Sequence, residues 1–167
     1  MVYEKSFTLI EILMVLTIIS LFTGYSLATY NSFSQKKTLE KEASFLGDIL
    51  SLAMGKAQGA DISLSCSGSD EFGGYRVEVN ASNYSFRQCC RNVYTKVISS
   101  CGSNIQSYNF HNSVSKISGA SIIDFYPLTN GATPTTITLK HTSLSKCLDV
   151  SITAAGIITV GDIPVLC

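Results

Sequence analysis

"KSFTLIEILMVLTIISL", residues 5–21, decides how the rest of the chain is read. From Phe7 to Ala28 the only formally charged side chain is Glu11, within a run that matches the ~20 apolar residues a helix needs to cross a bilayer. A carboxylate there costs on the order of a few kcal/mol. Such a placement calls for a compensating partner, and the flanking sequence limits what that partner is.

Downstream, "NSFSQKKTLEKEASFLGDILSLAMGKAQ" (residues 31–58) repeats Leu39, Ala43, Leu46, Leu50, Ala53 and Ala57 in alternating steps of four and three, the spacing of one helix face. Phe45, Ile49 and Leu52 widen that stripe enough to lie on a sheet, while Lys36, Lys37, Glu40, Lys41 and Asp48 take the remainder. No proline precedes Pro127, so one helix from 7 to 58 is allowed. At 1.5 Å per residue it would reach roughly 75 Å, and its first half would project. The alternative is two helices broken near Gly24 or around Asn31 to Ser34.

Beyond Gly59 the period changes to two. "GYRVEVNASNYSF" puts Tyr75, Val77 and Val79 on one face and Arg76 and Glu78 on the other, then turns at Asn80 to Asn83 into Tyr84 and Phe86, a hairpin. "SIIDFYP", "TTITLKH", "KCLDVSI" and "GIITVGD" are four further short runs rich in Ile, Val, Thr, Leu and Tyr, expected to form an antiparallel meander. "SCSGSDEFGG" and "SSCGSNIQSYNFHNS" read as surface loops. The expected class is α+β: a long N-terminal helix, part transmembrane and part amphipathic, on an antiparallel sheet of six or so strands.

Lys plus Arg and Asp plus Glu number twelve each, so the total shows no basic field for nucleic acid. Only 14% of the 167 residues are charged, and Ser, Thr, Asn and Gly abound, as in extracytoplasmic β-rich domains. The six cysteines, Cys66, Cys89, Cys90, Cys101, Cys147 and Cys167, all follow the apolar run and read as disulfides of an oxidising compartment. Cys89 and Cys90 would face opposite sides of a strand and so take different partners. Cys147 with Cys167 is the one pairing expected, a staple on the last strands.

No C-x-x-C pair supports zinc. His111, His141, Asp124 and Asp149 stand in no nucleophile or metal-ligand motif, so no enzymatic site, metal or cofactor is expected. Asp70 and Glu71 before "FGG" lack the alternating oxygen ligands of a calcium loop and read as a solvated turn. Arg76, Arg87, Arg91, Lys96, Lys116, Lys140 and Lys146 are scattered cations, which leaves nucleic acid an open partner.

The N-terminus allows a secretory signal peptide, since Ser26 and Ala28 in "YSLA" form a small-x-small cleavage site, or a plain membrane anchor. Neither accounts for Glu11. The stretch resembles the N-terminal signature of the type IV pilin and pseudopilin family: a short charged leader, a cut just before Phe, then T-L-I-E and a long apolar helix.

The resemblance implies a leader of residues 1–6, prepilin-peptidase cleavage between Ser6 and Phe7, and N-methylation of Phe7. The helix would span 7–58, with 7–29 as membrane or filament core and 36–58 amphipathic, followed by a disulfide-bonded head of 59–167. Glu11 takes the family's glutamate position, where it would meet a neighbour's N-terminal ammonium during assembly. Partners would be other pilin subunits, the peptidase and an inner-membrane platform. The chain would sit in the bacterial inner membrane before assembly and in an extracytoplasmic or cell-surface filament afterwards.

The closing strands around "TAAGIITV" are similar to minor pilins and pseudopilins of the H type, with a major pilin carrying a disulfide-closed C-terminal loop as the alternative. The family commonly has Gly where this chain has Ser6, and many major pilins have Pro where it has Ala28. The rival class is a secreted or anchored β-domain acting in adhesion or binding, DNA uptake included.

Overall fold

The computed structural model describes residues 8–62, 65–128, 131–162 and 164–167, with the backbone but not the side chains of residues 25–28. The chain divides into two compact units, Met1–Gln35 and Lys36–Cys167. Helix α1 (Leu9–Gln58) begins in the first and ends in the second.

In the first unit the large apolar side chains described between Leu9 and Phe33 are all more than half exposed. Three hydroxyls in this stretch are satisfied locally. Thr17, Ser20 and Thr23 donate to the carbonyls of Met14, Leu16 and Ile19 at 2.7, 2.8 and 2.7 Å. A hydroxyl bonded back to its own helix leaves no free donor for an apolar surrounding to penalise.

In the second unit Leu39, Ala43, Leu46, Leu50, Ala53 and Ala57 are fully buried, so the four-three spacing does mark the packed face. The stripe is narrower than expected: Ile49 is buried, but Phe45 and Leu52 keep 43% and 41% of their surface, Phe45 turning its ring edge onto Tyr108 at 5.3 Å. The helix is flush with the head at Gly47, where a Cβ would stand 2.7 Å from Val160 Cγ2.

The head is two five-stranded antiparallel sheets. One has β1 (Asp70–Val79), β2 (Asn83–Asn92), β3 (Ile98–Cys101) and β6 (Ile122–Phe125) in the order β3-β2-β1-β6, with β4 (Gln106–Asn109) also on β2. The other has β5 (Val114–Ser118), β7 (Thr135–His141), β8 (Lys146–Ile152) and β10 (Val165–Leu166) in the order β10-β8-β7-β5, with β9 (Ile158–Val160) also on β8. Tyr75, Val77 and Val79 of β1, Tyr84 and Phe86 of β2, and Ile137, Leu139, Leu148 and Val150 of β7 and β8 form one core with the α1 stripe.

Three expectations are corrected here. The four late runs do not form one meander: β6 pairs with β1, where Val77 opposes Ile123 and Arg76 grips Asp124, and only β7, β8 and β9 run consecutively. Ten strands replace six among the described residues. Both presumed loops contain strand, since β1 opens at Asp70 and the Ser/Asn-rich stretch supplies β3 and β4. Those short polar strands are held by pairing with β2 rather than by an apolar face of their own.

Gly74 shows how tightly the first sheet is built. Its φ is +110°, and a Cβ would lie 2.0 Å from the Phe125 carbonyl oxygen. Lys116 of β5 reaches across to the first sheet. Its ammonium donates to the carbonyls of Val79 and Ala120 at 2.8 and 2.9 Å and to Ser121 Oγ at 3.0 Å. Burial lowers its pKa, but all three donors are used on neutral acceptors. Lys116→Met leaves two half-buried carbonyls without their donor and is expected to lower unfolding stability by ~1–3 kcal/mol in denaturant titration of the detergent-solubilised chain. An unchanged midpoint would assign those carbonyls to solvent.

Candidate functional site

Glu11 lies in the first turn of α1, exposed, among exposed apolar neighbours that include Ile12 and Val15. The helix start is organised by Thr8, whose carbonyl accepts from the N–H groups of Glu11 and Ile12 at 3.1 and 3.3 Å. Its hydroxyl stands 3.5 Å from Glu11 Oε2. Thr8-Leu9-Ile10-Glu11 thus has the spacing of a capping box, with the acid at the third helical position, where the helix dipole favours a negative charge. The signature T-L-I-E thus includes a capping role for Thr8 that the T-x-x-E spacing before an apolar run encodes. Ser6 and Phe7, the expected processing and methylation positions, lie outside the described residues.

The dipole supports the carboxylate by ~0.3–1 kcal/mol in exposed settings, less than its cost within hydrocarbon. Glu11 therefore suits a helix start in water or headgroups unaided, and a lipid-like or bundled surrounding only with a cation beside it. α1 has a stretch long and apolar enough to cross a membrane.

Residues 1–27 match the prokaryotic N-terminal methylation motif.

Among solved structures, the minor pseudopilin EpsH from the type 2 secretion system of Vibrio cholerae is similar at 11% identity and a TM-score of 0.46, over 73% of this chain and 94% of that chain. Comparison with the curated proteins finds no match.

The six cysteines form three bridges, Cys66 with Cys90, Cys89 with Cys101 and Cys147 with Cys167. Cys89 and Cys90 do take different partners. Cys89 lies directly opposite Cys101 in the β2–β3 register, and the last bridge ties the chain end to β8.

The remaining candidates disperse into structural roles. Glu71 accepts from Arg91 Nε and Lys96 Nζ, each at 2.8 Å, and these two cations, Lys96 foremost, hold its carboxyl below the usual range. Asp70 accepts from Ser99. Among the described residues no group of three His, Cys, Asp or Glu side chains is placed to hold a metal ion. Arg76 is fixed by two bonds to Asp124 at 2.7 and 3.0 Å, and Arg87 by Glu78. Four of the seven head cations are thus ion-paired within the chain, and Lys116 is engaged with two carbonyls and Ser121. Asp149 accepts from Thr138 at 2.7 Å.

His111 is exposed and bonds Ser113 Oγ at 2.7 Å, whereas His141 is buried at the end of β7 with Nδ1 accepting from the Ser143 N–H. Burial, and then the charge of nearby His111, hold His141 below the ordinary 6.5. The unfolded chain therefore binds the proton more readily than the folded one, and the neutral ring's contribution is complete above pH ~6.5 and declines as pH falls towards the lowered value. Unfolding free energies at pH 7.5 and 5 should show this loss in the native chain, with a shallower slope in His141→Gln. Equal slopes would remove His141 from the pH dependence.

Proposed function

We propose that this chain is a structural subunit, a pilin or minor pilin or pseudopilin, of a type IV pilus-like or type II secretion filament. A prepilin peptidase cuts between Ser6 and Phe7 on the cytoplasmic side of the inner membrane, and the new N-terminal Phe7 is methylated. A separate inner-membrane platform then draws the subunit into a helical filament, with α1 in the core and the disulfide-bonded head outside, beyond the cytoplasm.

The observation that carries this reading is Glu11, the single charge of an exposed apolar helical stretch, within the matched methylation motif. Cleavage creates an ammonium at Phe7. In a bundle, the Glu11 carboxylate of one subunit meets the ammonium of a neighbour, each charge offsetting the other's desolvation and fixing the relative register of the two helices. The same interaction favours addition of a processed subunit over an unprocessed one, whose ammonium lies six residues away at Met1.

Removing one partner of a buried pair costs ~3–5 kcal/mol because the other charge is left unpaired. Glu11→Ala and Glu11→Gln should therefore lower incorporation into sheared filaments by about a hundredfold or more. Membrane level and disulfide formation should be unchanged. Normal incorporation of both variants would remove the Glu11 pairing and leave Glu11 as a cap of α1, whereas unchanged surface display with neither the native chain nor the variants in sheared filaments would make the chain a membrane-anchored or secreted binding domain.

A further inference from the structure

The turn between β1 and β2 carries two adjacent Asn-x-Ser triplets, Asn80-Ala81-Ser82 and Asn83-Tyr84-Ser85. With no proline between, each has the acceptor pattern for an N-linked glycan, a modification confined to chains that reach the extracytoplasmic side. The structure separates the two. Asn83 opens β2, Tyr84 is fully buried, and Ser85 lies between Glu78 on one side and Ser107 on the other, so the second triplet is locked inside a sheet.

The first triplet forms the exposed tip of the hairpin. Asn80 N–H donates to the Asn83 carbonyl at 2.8 Å, closing the turn. The carbonyls of Ala81 and Ser82 accept from the N–H groups of Lys116 and Phe110 at 3.0 and 2.9 Å, which hold the tip in place without using the Asn80 side chain. That side chain donates from Nδ2 to Asn83 Oδ1 at 2.9 Å. A primary amide has two N–H bonds, so one can be replaced by a bond to sugar while the other continues to donate to Asn83.

Two further features distinguish Asn80. Glu78, two residues before it, places a carboxylate, one oxygen of which pairs with Arg87, on the flank of the turn, where the matching residue for Asn83 is the neutral Ala81. Ser82 also lines a groove of mixed character, where Asn109, His111 and Asn112 can bond the hydroxyls of a sugar and Phe110 and Val114 can pack against its ring.

We infer that Asn80 is an N-glycan acceptor. The donor class is a polyprenyl-diphosphate-linked oligosaccharide, brought by a membrane oligosaccharyltransferase on the export side. Asn80 Nδ2 bonds to the sugar C1, the bond from C1 to the diphosphate oxygen breaks with its electron pair leaving on the lipid diphosphate, and one amide proton passes to a base of the transferase. No oxidant or reductant is needed. The inference requires only that the head is exported, as its three disulfides indicate, and is independent of filament assembly.

The test is mass spectrometry of the full chain from its native cells. Trypsin releases residues 77–87, containing both triplets, and electron-transfer fragmentation locates any added mass within them. The expected result is a peptide heavier by one oligosaccharide placed on Asn80. That mass should be lost in Asn80→Gln and in Ser82→Ala, and kept in Ser82→Thr and Asn83→Gln. An unmodified peptide from native cells, or a glycan placed on Asn83 or on a serine, overturns the inference.

Discussion

A helix that is apolar on all sides cannot remain in water, and this chain offers nothing described that covers the first part of α1. Residues 9–22 present Leu, Ile, Met, Val and Phe around the helix with more than half of each such surface open. Lipid can cover such a surface, and so can copies of the same helix, because hydrocarbon and packed apolar side chains are nearly equivalent surroundings. A segment of this kind can leave one for the other at modest cost. What it cannot do in either is leave Glu11 alone, and the first turn already satisfies part of that carboxylate through Thr8 and the helix dipole.

The head meets a different constraint. It must fold where thiols are oxidised, and with few charges. Its core is shared by the α1 stripe and strands of both sheets, and disulfides secure the Ser-rich β3, the approach to β1 and the residues after β10. Ion pairs such as Arg76 with Asp124 are strand-to-strand contacts within the head, so the surface cations serve the fold before any partner.

The helix stripe was legible because its four-three spacing is produced by burial of one face, and the hairpin because alternation from Tyr75 to Val79 has one cause, a half-buried strand. The Cys147–Cys167 bridge was legible from its position at the chain end. β3 and β4 were not, since Ser99, Ser100, Gln106 and Ser107 carry no apolar alternation and are ordered by β2 opposite them. The partner of β6 was hidden for a similar reason: Ile123 and Phe125 meet Val77 and Tyr75, and Asp124 meets Arg76, 48 residues earlier. Lys116 gave no sign of its role, because its acceptors are two backbone carbonyls and a serine that only the folded chain gathers. At the candidate site, Glu11 was conspicuous as a lone charge, while the capping contribution of Thr8 emerged from the backbone geometry.

On the proposed route the chain enters the membrane as a precursor and becomes competent when a new ammonium is made at Phe7. Intact mass and N-terminal fragmentation of the protein recovered from its native cells test it most directly. A chain beginning at methylated Phe7 is the predicted result. A chain beginning at Met1, or at Thr29 after signal-peptide cleavage, would contradict the account, because no ammonium would then lie within reach of a neighbour's Glu11, or Glu11 itself would be gone.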